Sequence, residues 1–165
     1  MPLPSKRIVN LAGLLACAGM MGFALYAQYV LLLDPCPLCV LQRVAVIALG
    51  LVFLAGALHV ARGRGRWLHA LLILVTAGSG AAVAAWHVRL QNLPADQVPA
   101  CGPGLGYMLD TFPLTDALAM VFRGSGECAD VVWRLLGLSM PSWVLIGLTG
   151  LGAAGIWNSL RSAEH

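Results

Sequence analysis

The sequence predicts an all-α membrane protein, a four-transmembrane-helix bundle with two periplasmic loops. Three observations predict it. Hydrophobic residues make up 59% of the 165 and charged residues only 10%, against roughly 25% charged in soluble domains. Four apolar runs each approach or exceed the roughly 20 residues that a helix needs to cross a hydrocarbon core. Most Lys and Arg residues fall on one side of those runs and most acidic residues on the other.

A chain of this length makes one domain. A soluble domain of this size could not hide so much apolar surface, whereas a bilayer is itself an apolar solvent. The formal net charge of +3 is small, so the location of the charges says more than their sum. There is no basic patch interleaved with aromatics, so no nucleic-acid partner is expected.

The first run is about Ile8–Leu33, preceded by Lys6 and Arg7. A basic start before an apolar run resembles a signal peptide. Leu14-Leu15-Ala16-Cys17 loosely resembles a lipoprotein cleavage site, which would make Cys17 a lipid anchor. The apolar run continues well beyond Cys17, so it is expected to be kept as a span, with Cys17 a small buried hydrophobe. A short loop, about 34–39, leads to the second run, Val40–Ala61. Arg62, Arg64 and Arg66 fill the turn to the third run, Trp67–Leu90. A long loop, about 91–140, precedes the fourth, about 141–160, and Arg161 follows it. Leu and Ala dominate the runs without alternation, which argues against barrel strands. Gly147, Leu151 and Gly155, and Gly152 with Ile156, recur at four-residue spacing, where small residues allow close helix approach.

Lys and Arg mark the cytoplasmic side of a membrane protein. The three basic sites share one side if there are four spans. The opposite side takes both loops, and five of the seven acidic residues lie in the longer one: Asp96, Asp110, Asp116, Glu127 and Asp130. Both termini are therefore expected to be cytoplasmic. Within the long loop, Pro94, Pro99 and Pro103 and the glycines at 102, 104 and 106 predict irregular structure around Cys101. Leu114, Leu118, Val121 and Phe122 follow helical spacing, as a helix lying on the membrane surface or capping the bundle would. A further apolar stretch, Val131–Leu138, leads to Pro141, which suits a first helical turn.

Five cysteines carry most of the functional information. Cys36-Pro37-Leu38-Cys39 is a C-x-x-C unit just ahead of the second span, Cys101 and Cys128 lie in the long loop, and Cys17 is alone in the first span. Four of the five thus fall on the oxidising side, where disulfides persist. Cys39 is expected near the first turn of a helix, whose unpaired N–H groups and positive dipole end favour a thiolate. Arg43, four residues on, projects from the same helix face. Its charge would stabilise a thiolate or a reduced, anionic acceptor, and it lies at the membrane boundary within reach of a cofactor dissolved in lipid.

Blander readings accompany these. A C-x-x-C can be half of a zinc site, but Cys101 and Cys128 form no second C-x-x-C and the loops hold no His, so no metal is expected. The four cysteines could be two inert staples. Arg43 could be a snorkelling anchor. His59, His69 and His87 are interfacial or packing candidates; His87, near the outer end of the third span with Arg89, could also line a quinone head-group pocket.

Pro35-Cys36-Pro37-Leu38-Cys39 followed by Gln42-Arg43 resembles the active-site segment of the bacterial disulfide bond formation protein B (DsbB) family. Gly126-Glu127-Cys128-Ala129 resembles it too, running into Trp133, Leu136-Gly137-Leu138 and Met140-Pro141-Ser142-Trp143, as does Trp86-His87-Val88-Arg89-Leu90-Gln91 at the third-span exit. The resemblance covers nearly the whole chain. One departure is Gln42, where some members carry an acidic residue.

The resemblance implies an oxidoreductase of the bacterial inner membrane. In it, a Cys101–Cys128 disulfide would oxidise a DsbA-like periplasmic thiol oxidase, with Cys101 forming the mixed disulfide. Cys128 would exchange with Cys36, and Cys39 would hand electrons to a quinone, ubiquinone or menaquinone, that Arg43 helps to hold. DsbA is itself a strong oxidant, so its reoxidation needs an external sink, and the DsbA–DsbB–quinone chain is a known example. The alternatives are a membrane scaffold or small transporter with two structural disulfides, and a thiol–quinone oxidoreductase of the vitamin K epoxide reductase type. That type would be expected to carry its C-x-x-C late in the bundle.

Overall fold

A computed structural model describes residues 4–59, 63–94, 96–98, 105–124 and 126–161. In chain order its elements are α1 (Lys6–Tyr29), α2 (Pro37–Leu58), α3 (Gly65–Gln91), α4 (Leu105–Thr111), α5 (Leu114–Arg123), α6 (Gly126–Ala129), β1 (Arg134–Leu135), β2 (Leu138–Ser139) and α7 (Met140–Leu160). Among the described residues, α1, α2, α3 and α7 are the four helices long and apolar enough to cross a membrane. The chain is thus an all-α bundle with the architecture of a multi-pass membrane protein.

Local chemistry sets the helix ends. Ser5 Oγ accepts the Ile8 N–H at the start of α1, replacing one of the bonds a helix N-terminus lacks. The apolar run continues to Leu33, but the helix stops at Tyr29. Leu32 takes a left-handed φ of 54°, and the Leu33 N–H turns back to the Ala27 carbonyl at 3.0 Å. Apolar composition alone does not keep a helix going through such a turn. At the next element the fixed φ of Pro37 suits the first helical turn, so α2 begins there and takes in Cys39. Pro141 does the same for α7.

The interior is built on Phe53, Leu49, Ile73 and Leu148, each at most 1% exposed, with Cys17, Val46 and Ala77 around them. Gly147, Gly152 and Gly155 of α7 face its neighbours. A Cβ added at Gly152 would stand 2.9 Å from the Ala77 Cβ, a contact that only glycine avoids. Close backbone approach is how membrane helices gain packing when lipid offers no hydrophobic drive. Towards the end of the bundle away from Cys36 and Cys39, the interior turns polar. His69 bonds Ser159 Oγ through Nδ1 at 2.8 Å and the Val52 carbonyl through Nε2 at 3.2 Å. Asn158 donates from Nδ2 to the Lys6 carbonyl at 3.2 Å. Such bonds fix the register of α1, α2, α3 and α7 at that end.

The other end carries a cap. Val121 of α5 is buried with Met108 of α4 and with Cys36, Leu38, Leu90 and Cys128, while Leu114, Leu118 and Phe122 remain exposed. One face of α5 therefore closes the bundle and the other presents apolar side chains outward. Trp86 Nε1 donates to the Phe122 carbonyl at 2.9 Å, tying α5 to α3. Gly124 has a φ of 81°, and a Cβ there would meet Leu90 Cδ1 at 2.5 Å, so the turn after α5 requires glycine on both counts. Gly106 belongs to α4, so the irregular stretch expected around Cys101 does not extend to it. Cys101 itself and most of its neighbouring prolines and glycines lie outside the described residues.

Between cap and α7 stands a hairpin that apolar patterning did not foretell. Arg134 pairs with Ser139 and Leu135 with Leu138 across a turn in which Leu136 and Gly137 have positive φ. Trp143 Nε1 donates to the Leu135 carbonyl at 3.2 Å, and Trp133 packs on Phe23 with ring centroids 5.2 Å apart. These contacts lean the hairpin on α7 and α1.

Candidate active site

Cys36 is the N-cap residue of α2. Its Sγ accepts the Cys39 N–H at 3.4 Å and lies 3.0 Å from Cys39 Sγ. The C-x-x-C spacing does this: with Pro37 opening the helix, the second cysteine falls one turn above the first and both sulfurs meet at the positive end of α2. Cys36 is buried and Cys39 half-buried.

Cys128, on the short helix α6, is wholly buried beside them. Sγ of Cys36, Sγ of Cys128 and a ring nitrogen of His87 all lie within 4.8 Å of one another. Three segments far apart in sequence thus converge on one point. His87 Nε2 donates to the Cys128 carbonyl at 3.0 Å and lies 3.8 Å from Cys36 Sγ. Its other nitrogen, Nδ1, accepts from Gln42 Nε2 at 3.0 Å. Gln42 is itself buried, and its amide holds the ring in one orientation. His87 supplies the imidazole that the loops lack for a soft-metal site with the cysteines, but both its nitrogens are occupied by these bonds.

Arg43 projects from the Cys39 face of α2, as its spacing predicts. The guanidinium is gripped by α1, donating to Gln28 Oε1 and, at 3.0 Å, to the Ala24 carbonyl. A cation so held needs no snorkelling to reach polar partners. Cys39, Gln42, Arg43 and His87 all line one cavity of about 380 Å³. Its walls come from α1, α2, α3 and α7 and from the segment that precedes the hairpin. Met20, Met21 and Met140 make much of the wall apolar and adaptable. Asp34, Glu127 and Asp130 supply negative charge.

The remaining candidates separate cleanly. Cys17 is buried in the apolar core. His59 is the exposed C-cap of α2. His69 belongs to the polar layer at the far end. Gln28, Trp133 and the three acids are members of the cavity or its support that sequence reasoning missed. The available signal was a Gln near the end of an otherwise apolar span, where an uncharged polar side chain needs a partner.

The sequence profile of the family described as "Disulfide bond formation protein DsbB" matches residues 6–158. Among relatives, the disulfide bond formation protein B of Nitrosococcus oceani is 52% identical over 158 residues, spanning 96% of this chain and 94% of its own. That of Hahella chejuensis is 52% identical over 153 residues, 93% and 92% of the two chains. That of Chromohalobacter salexigens is 54% identical over 148 residues, 89% and 86%. A match of this extent, on a bundle that gathers Cys36, Cys39 and Cys128 at one end, makes the chain a member of the DsbB family of disulfide bond formation proteins.

Proposed function

We propose that this protein reoxidises a DsbA-like periplasmic thiol oxidase and passes the electrons to a membrane quinone. In this reading it is a protein-dithiol:quinone oxidoreductase of the bacterial inner membrane. Both termini are cytoplasmic, and the cysteines face the periplasm, as the distribution of Lys and Arg argues.

The reading rests chiefly on one observation: Cys36, Cys39 and Arg43 share the wall of a largely apolar cavity, with Cys128 buried beside Cys36. The residues present fit a quinone head group, because the cavity offers an apolar wall, one fixed guanidinium and the Cys36 and Cys39 thiols, besides the carboxylates of Asp34, Glu127 and Asp130. A bound quinone, ubiquinone or menaquinone, would supply a two-electron, two-proton acceptor there. Arg43, pinned by Ala24 and Gln28, would hold a carbonyl oxygen and favour charge developing on it.

The thiol steps balance without any other reagent. A partner thiolate attacks Cys101 of a Cys101–Cys128 disulfide, and a second partner thiol releases the oxidised partner, leaving Cys101 and Cys128 reduced. The Cys128 thiolate attacks Cys36 of a Cys36–Cys39 disulfide and releases Cys39; Cys101 then displaces Cys36, so Cys101–Cys128 re-forms and Cys36 and Cys39 end as the dithiol that the acceptor reoxidises. His87 Nε2 lies 3.8 Å from Cys36 Sγ, so its N–H, shared with the Cys128 carbonyl, can steady a thiolate on Cys36.

The test is purification in detergent, extraction of any co-purifying quinone, and addition of a reduced DsbA-like dithiol. One quinol should form per partner disulfide. Turnover of the partner with no quinone consumed would refute the acceptor, and no turnover at all would favour structural disulfides.

A further inference from the structure

The end of the bundle opposite the cysteines gathers cations that no acid among the described residues accompanies. Lys6 opens α1, Arg66 lies in the first turn of α3, and Arg161 follows α7. They are near enough that both arginines act electrostatically on Lys6. Their hydrogen bonds go to neutral acceptors: Lys6 Nζ to the Ser159 carbonyl at 3.3 Å, and Arg161 to the Pro4 carbonyl. Those bonds leave the charge uncompensated. The acidic residue nearest in sequence, Glu164, lies outside the described residues.

Two further observations point to a ligand. Arg66 Nε is buried and has no hydrogen-bond partner, and an orphaned charged donor is among the costlier groups to leave unmet. The N-terminus of α3 adds to this, since its cap residue Arg64 makes no side-chain capping bond and its first turn holds no acid. The unmet groups of the cation cluster itself are donors or positive ends, which an anion with several oxygens answers together; the Asn10 and Asn158 Oδ1 atoms deeper in this end are unmet acceptors that it would not serve. Beside the cations stand two exposed tryptophans. Arg66 lies 5.8 Å from the ring centre of Trp67 and Arg161 5.3 Å from that of Trp157; the rings are 60% and 53% exposed. Tryptophans at the ends of spans belong at headgroup depth, where the available anion is a lipid phosphate.

We propose that Lys6, Arg66 and Arg161, flanked by Trp67 and Trp157, bind the phosphodiester of an anionic phospholipid. The site is separate from the thiol chemistry, and its test reads binding alone.

The protein is released from detergent containing equal amounts of phosphatidylglycerol and phosphatidylcholine, and retained lipid is counted by native mass spectrometry. Wild type should keep phosphatidylglycerol in preference by roughly tenfold. The preference should vanish in an Arg66→Gln, Arg161→Gln double variant and persist in Arg123→Gln, at the other end. Millimolar inorganic phosphate should not displace the lipid; displacement would assign the site to free phosphate instead. Equal retention of both lipids, or a preference untouched in the double variant, overturns the proposal. A preference seen only in Glu164→Gln would show that this acid already neutralises the cluster, and overturns it too. Should the double variant not fold, a photoreactive phosphatidylglycerol headgroup on the wild-type chain decides. Labelling within residues 4–7, 63–67 or 157–161 supports the site, and labelling only elsewhere refutes it.

Discussion

Gln42 and His87, 45 positions apart on α2 and α3, are joined by a 3.0 Å hydrogen bond from Gln42 Nε2 to His87 Nδ1. With Nδ1 accepting, the ring proton is on Nε2, which faces the Cys128 carbonyl and Cys36 Sγ. A Gln42→Leu substitution removes the donor and leaves Nδ1 unsatisfied in a buried place, a loss of about 1–3 kcal/mol. Thiol exchange between Cys128 and Cys36 should slow by about tenfold or more, with a smaller change in the apparent KM for quinone, whose cavity Gln42 also lines. Quenched-flow alkylation with mass mapping of the cysteine pairs checks this. A changed quinone KM with unchanged exchange would place His87 on the acceptor side instead.

Arg43 should show the reverse pattern. Arg43→Gln is expected to raise the apparent KM for quinone by about tenfold, since charge-assisted bonds contribute roughly 1.5–3 kcal/mol, with less effect on the first exchange with the partner. Gln28→Leu should raise the same KM by a smaller factor, because one of the two α1 acceptors remains. Steady-state assays with quinone varied at saturating partner separate the two constants. Unchanged quinone kinetics in Arg43→Gln would reduce Arg43 to an anchor between α1 and α2.

The burial pattern predicts an order of labelling. In reduced spheroplasts an impermeant maleimide should modify Cys39 well ahead of Cys36 and Cys128, which are 8% and 0% exposed, and should spare Cys17. Mild detergent should erase the difference between Cys39 and Cys128. Failure of Cys39 to react from outside, together with reaction after permeabilisation, would invert the topology.

A partner lacking its second active-site cysteine should become trapped on this protein through Cys101, since exchange proceeds by a mixed disulfide, the partner has no second thiol to resolve it, and Cys128 moves on to Cys36. Non-reducing gels should show an adduct one partner larger, dissolved by reductant and missing in Cys101→Ser. A folded, oxidised protein that gives no Cys101-dependent adduct would restore the staple reading.

Much of this was legible in the sequence because it was written in local spacing. The bilayer forces apolar runs to be helices, so the four spans could be counted without knowing any contact. The i to i+4 offset from Cys39 to Arg43 fixed a shared face, and Pro37 and Pro141 marked helix starts. What eluded reading depends on which helices are neighbours. Gln28 gripping Arg43 and Gln42 gripping His87 are contacts between spans, and nothing in either segment names its partner. The early end of α1 turns on the left-handed conformation at Leu32, a non-glycine that gives no warning. The hairpin at 134–139 escaped notice because its apolar residues repeat without the alternation of a strand, and Leu136-Gly137 acts as its turn.

The layer of Phe53, Leu49, Ile73 and Leu148 separates the cysteine end from the polar cluster around His69. That layer is an insulator. If dithiol and acceptor meet on the same side of it, electrons and protons enter and leave through one face of the membrane. No charge then crosses the low-dielectric slab, and turnover neither draws on the transmembrane voltage nor adds to it. In sealed vesicles, a potassium diffusion potential of either sign should therefore leave the rate unaltered, and a steady turnover should generate none.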